Sequence, residues 1–351
     1  MMEKKPVDDI KKIFVSFYRT ERSLEFIEQY DKEQAWKKMM QKRSIRRFRK
    51  AALWTVGSAA CIALLFGLSY ITFFSSSPTD LDPMVALQKT YPETGGNKAY
   101  LTLNNGQVVD LSTKQGVIAQ AVKNINGAQL IYEEKPTKEV QYNKLVVPRG
   151  GEYQLKLSDG THIWMNAESS LHYPVNFTGA TREVTLEGEA YFEVAHDKQH
   201  PFKVHTASGT VEVLGTSFNV SAYPNVPTAA TLVSGAVAVS TKSANALLSP
   251  GRQASWMGDG KIEIREVDTS LITSWMTGTY IFQNMPLRDI AAQLSRWYDV
   301  DIRFRTANLE DIRFTGGIMR DEELAFAVSI ISEVSSVRFV RERNVIWVEK
   351  K

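Results

Sequence analysis

The chain has 351 residues, of which 43% are hydrophobic and 23% charged, with a single cysteine. That composition excludes a disordered or low-complexity chain, and one cysteine excludes a disulfide scaffold or a cysteine-ligated zinc or iron–sulfur site. The net charge of +3 conceals three zones: residues 1–50 carry fifteen Lys/Arg against eight Asp/Glu, residues 51–79 carry no charge, and residues 80–351 hold 27 basic against 31 acidic side chains.

The first zone, 1–50, reads as a short helical arm. Between Asp8 and Arg22 the apolar residues Ile10, Ile13, Phe14, Phe17 and Tyr18 fall at i, i+3, i+4, i+7 and i+8, one stripe along a helix. Asp8 and Asp9 suit its N-terminus. Two shorter stripes follow, Leu24, Ile27 and Tyr30, then Trp36, Met39 and Met40. Fifty residues with such short stripes bury little core alone. The pattern fits a self-packed bundle, a basic helix on anionic lipid, or an apolar surface awaiting a protein partner.

Ala51 to Phe74 contains no charge. At about 1.5 Å per residue it makes roughly 36 Å of helix, enough to cross a hydrocarbon core of about 30 Å. Eight Lys/Arg between Lys37 and Lys50 precede it, and the first charges after it are Asp80 and Asp82. The positive-inside rule therefore predicts a single-pass membrane protein, N-terminus cytoplasmic and C-terminus beyond the membrane.

After a linker and leading strands over 75–140, residues 141–266 alternate short β-rich runs with turns. Asn104-Asn105-Gly106 and Asp159-Gly160 are hairpin signals, and the strand spacing predicts an all-β domain, solenoid-like or a sandwich. Within Tyr191-Phe192-Glu193-Val194 the alternation predicts Phe192 and Val194 facing the core. His196 and His200 have the i, i+4 spacing that ligates a metal on a helix, but Pro201 marks a turn, so surface histidines are expected and no metal or cofactor is implied. Neither a nucleophile elbow nor a P-loop is present, so no enzymatic activity is expected.

Arg149-Gly150-Gly151, Gly188-Glu189-Ala190-Tyr191-Phe192-Glu193-Val194 and Leu214-Gly215-Thr216-Ser217-Phe218 together resemble the periplasmic domain of FecR-type anti-sigma regulators. The resemblance implies that the arm holds an extracytoplasmic-function sigma factor through Ile10, Ile13, Phe14, Phe17 and Tyr18. It also implies that the periplasmic part senses the signalling domain of a TonB-dependent outer-membrane transducer, with no direct nucleic-acid contact. Some regulators of this kind cleave themselves at a Gly-Thr bond. Here Gly215-Thr216 is the candidate, with the Thr216 hydroxyl attacking the Gly215 carbonyl; the alternative is a tight bend between strands.

Residues 267–351 repeat the order strand–helix–strand, with Phe282 and Phe314 32 residues apart and Phe304 and Phe339 35 apart. Leu287, Ile290, Leu294 and Trp297 share one helix face; Leu324, Val328 and Ile331 share another, behind Asp321 as N-cap. Two βαβ-like units make a small α+β domain. It resembles the domain that follows the FecR module in Bacteroidetes-type regulators and, more distantly, the short secretin and TonB-receptor N-terminal fold. Its predicted contact with the transducer is an exposed strand edge carrying Ile312 and Phe314 or Val345 and Val348. The rival function is a membrane-anchored glycan-binding module whose stacking surface is Trp164, Tyr173 and Tyr191.

Overall fold

The computed structural model describes residues 94–119, 122–133 and 140–351. The predicted arm with Ile10, Ile13, Phe14, Phe17 and Tyr18, and the apolar segment 51–74, lie outside the described residues. Among those that are described, no helix is long and apolar enough to cross a membrane.

Among the described residues, nineteen strands run from Gly96–Asn97 (β1) to Ile262–Glu266 (β19). Eighteen of them build two facing sheets, and β1 lies parallel to Gly151–Lys156 (β8). The first is ordered Val108–Asp110 (β3), Tyr100–Thr102 (β2), Tyr142–Val147 (β7), Ser169–Pro174 (β10), the first half of Arg182–Glu193 (β11), Phe202–His205 (β12), Thr210–Val213 (β13), Val237–Ser240 (β16) and Asn245–Leu248 (β17). The second is ordered Gly116–Ala119 (β4), Val122–Ile125 (β5), Gln129–Tyr132 (β6), Gly151–Lys156 (β8), His162–Met165 (β9), the second half of β11, Ser217–Ala222 (β14), Thr228–Ser234 (β15), Arg252–Trp256 (β18) and β19. From β12 onward the chain alternates hairpins, two strands in the first sheet and then two in the second. The domain is thus a sandwich built by a solenoid-like wrap. The leading strands β2 and β6 bond to β7 and β8, so residues on both sides of position 140 share one core.

Strand periodicity fills that core. Leu145, Val147, Tyr153, Leu155, Leu171, Phe202, Val204, Phe218 and Val220 all point inward at alternate positions and are buried. Phe192 and Val194 join them, and Phe192 stacks on Phe218 with ring centroids 5.1 Å apart. Both predicted hairpins form, closing β2 on β3 and β8 on β9. β11 changes sheet at Gly188, where φ is +94° and a Cβ would sit 2.6 Å from the Ser169 Cα. Only glycine lets one strand serve both layers there.

The C-terminal α+β domain begins with a short helix Thr269–Thr273 (α1), capped by the Asp268 carboxylate, which accepts from the Ser270 N–H. Its elements are Thr279–Pro286 (β20), Leu287–Tyr298 (α2), Asp301–Phe304 (β21), Arg313–Met319 (β22), Leu324–Val334 (α3), Val337–Glu342 (β23) and Val345–Lys350 (β24). The strand–helix–strand order repeats as expected, but neither repeat pairs its own two strands. β20 pairs antiparallel with β22, while β21 and β23 flank β24, parallel and antiparallel. The βαβ description is corrected accordingly: equivalent strands of the two repeats meet each other or a shared partner. Phe304 and Phe339 accordingly both lie opposite Val348. Asp321 is not the cap of α3; Glu323 occupies that position without a side-chain bond.

Candidate interaction site at the domain seam

Arg149-Gly150-Gly151 and the motif around Tyr191 meet at the outer face of the second sheet, where the C-terminal domain sits. Arg149 leaves the β domain and donates to the carbonyl oxygens of Ser295 at 3.0 Å and Val300 at 2.5 Å. The N–H of Gly150 donates to the Arg296 carbonyl at 2.7 Å. These carbonyls belong to the last turn of α2 and the residues just past it, where the helix dipole is negative; the Ser295 carbonyl also accepts from the Asp299 and Val300 N–H groups, so Arg149 adds a third donor there. A guanidinium and an amide from the neighbouring domain thus cap the helix. Gly150 takes a φ of +68° to present this N–H, and Gly151 packs tightly within its own domain, where a Cβ would lie 2.8 Å from the Lys98 carbonyl oxygen.

The second anchor comes from the opposite direction. Arg320, 2% exposed, follows β22 and lies over the Trp297 ring at 3.5 Å from its centroid. It donates to the Glu152 carboxylate at 2.7 Å and to the Trp275 carbonyl at 2.6 Å. Trp297 returns a bond from its indole N–H to the Arg320 carbonyl at 2.7 Å. Nearby, the Arg296 guanidinium lies 4.0 Å from the centroid of Tyr223. Glu189 accepts from the side-chain amides of Asn166 at 2.8 Å and Asn219 at 2.9 Å, ordering the polar floor of the seam. Burial raises the phenols here, Tyr280 to about 12, with the Arg320 cation opposing the rise.

For Tyr191, sequence periodicity gives the face but not what covers it. It points away from the β core, as alternation requires, yet it is buried because the C-terminal domain covers it. It packs edge-on against Trp164 with centroids 5.8 Å apart, and both join the apolar cluster of the C-terminal domain with Trp275, Tyr280 and Leu294. Tyr173 lies in the β core, its hydroxyl 2.9 Å from that of Tyr132. The proposed stacking surface of Trp164, Tyr173 and Tyr191 is therefore overturned: one is core and two lie in the seam.

Of the predicted edge residues, Val345 and Val348 lie on β24, which is bonded on both sides and has no free edge; Val348 is fully buried. That edge is withdrawn. Ile312 is half-buried and Phe314 is buried, but they lie at and within β22, which among the described residues pairs only with β20. His200 pairs with Asp197 at 2.8 Å on a non-helical turn, and His196 is exposed. Gly215 packs against His196, where a Cβ would lie 2.7 Å from its Cα. Thr216 is buried; its hydroxyl donates to the Ala236 carbonyl at 3.0 Å, and its own carbonyl accepts from the Val194 N–H.

Comparison with known proteins agrees with this architecture. The profile of the FecR protein family matches residues 143–244, and that of the FecR C-terminal domain matches 279–348. Two crystal structures of a candidate anti-sigma factor from Parabacteroides distasonis superpose with a TM-score of 0.56 at 30% identity. They cover 59% and 60% of this chain and 99% of their own. The chain belongs to the FecR-type anti-sigma factor family. No curated protein matches it. Of the seam residues, Arg149 and Glu189 lie in the first matched region, and Trp297 and Arg320 in the second.

Proposed function

We propose that this FecR-type protein is a single-pass inner-membrane anti-sigma factor. Its arm sequesters an extracytoplasmic-function sigma factor, and its periplasmic part relays a signal from a TonB-dependent outer-membrane transducer. The observation that carries the reading is the match of both FecR domains on a chain whose N-terminal zones are basic and then uncharged over 51–74. The protein acts by binding, without catalysis. In the C-terminal domain, the edge of β22 that is unpaired among the described residues offers the main-chain donors and acceptors that a transducer strand would take.

The test is co-purification of the sigma factor with the full chain from solubilised membranes, repeated with Phe14→Ser and Phe17→Ser together. Burial of two such aromatics is worth on the order of 3–6 kcal/mol, enough to abolish a micromolar complex. The double variant should lose the sigma factor and release its transcription. Retained binding at normal protein level would refute the assigned stripe, and no bound sigma factor in the wild type would refute the function.

A further inference from the structure

Charged side chains reach across the seam from both domains. Its anchors are Arg320 on Glu152 and Arg149 on the end of α2, and among the described residues Tyr191, Trp164 and Val233 of the β domain join the C-terminal apolar cluster. Buried polar atoms there are also left unmatched. Among the described residues, the Arg320 Nε, the Trp275 indole N–H and the Asn219 side-chain oxygen find no hydrogen-bond partner. Each would regain water on separation, so docking is opposed by their desolvation. The Glu152 side chain remains 38% exposed even when docked, and its rehydration costs little. Polar, incompletely satisfied contacts between domains are the mark of surfaces that part.

Two further features give the seam a handle and a hinge. Arg320 is the residue directly after β22, the strand whose second edge is unpaired among the described residues. The connection from the β domain passes through α1 and a single 3₁₀ turn that ends at Gly278, with φ at +77°.

We propose that the seam is a releasable latch pinned by Arg320, so that displacement of β22 withdraws the guanidinium from Glu152 and frees the C-terminal domain from the second sheet. Release uncovers Tyr191, Trp164 and Glu189. The use of the latch rests on the relay reading above; its existence does not.

The test uses the full chain in detergent micelles, with Cys61→Ser and nitroxide labels on Ser240→Cys and Asn344→Cys, both exposed positions in different domains. Double electron–electron resonance should give one narrow distance for this background. Arg320→Met keeps the aliphatic stem on Trp297 and removes the charge, and it should add a longer, broader population. Glu152→Gln tests the same bond from the other domain without touching the C-terminal core, and should move the distribution the same way. The two together should add little beyond Arg320→Met alone. A single unchanged distance in both single variants overturns the latch. Sigma-dependent transcription is read in the same variants. Altered transcription at unchanged distance overturns the latch and leaves the relay standing, whereas a longer distance with unaltered transcription supports the latch and refutes its part in the relay.

Discussion

Replacing Arg149 by Met removes the guanidinium that caps α2 from the neighbouring domain while keeping most of the side-chain stem. Two bonds are lost, to the Ser295 and Val300 carbonyls. A hydrogen bond from a charged donor contributes about 1.5–3 kcal/mol when well buried. The Arg149 side chain is 30% exposed, so the pair together should contribute about 2–3 kcal/mol. Its ion pairs with Asp299 and Asp301 add little, because those carboxylates are 68% and 49% exposed. The expected loss of about 2–3 kcal/mol corresponds to a fall of about 5–10 °C in melting temperature for a body of this size. Amide exchange read by mass spectrometry localises the effect: protection should fall at residues 295–302 and hold in β11 and β14. Arg303→Met is the control, since Arg303 is 60% exposed and meets only Asp301 at 3.4 Å; it should cost less than about 0.5 kcal/mol. Equal effects from the two substitutions, or unaltered protection at the end of α2, would refute the capping role.

Gly188→Ala should destabilise the β domain by about 1–3 kcal/mol, because the new methyl meets Ser169 and the φ of +94° is closed to alanine; an unchanged urea midpoint would show that β11 bends another way. Stability should fall between pH 10 and about 12. The Tyr280 phenol is raised above its unfolded value near 10, so its stabilising contribution is complete below pH 10 and lost as pH rises through about 12; a midpoint constant across that range contradicts the burial argument. For Gly215-Thr216 the expected result is one intact mass over days for wild type and Thr216→Ala alike, since the hydroxyl donates its proton to Ala236. Two fragments meeting at Gly215 and Thr216 in wild type alone would reinstate self-cleavage.

The amino-acid order by itself determined the local features of this protein. Turn residues such as Asp159-Gly160 closed their hairpins, period-two alternation placed Phe192 and Val194 inward, and period 3.6 selected the buried faces of α2 and α3. These are nearest-neighbour effects, set by backbone freedom and by which side of an element is apolar. Tertiary structure decided what each second face meets. Tyr191 alternates outward and reads as exposed until another domain covers it, and Arg149-Gly150-Gly151 reads as a turn until the carbonyls at the end of α2 arrive to accept from it. The same holds for strand pairing. Nothing in VIWVE distinguishes an edge from a centre, and β24 became central because β21 and β23, 36 residues apart at their starts, both bond to it. Pairing and burial between distant segments depend on which surfaces complement each other in three dimensions, and alternation along one strand carries no record of that partner.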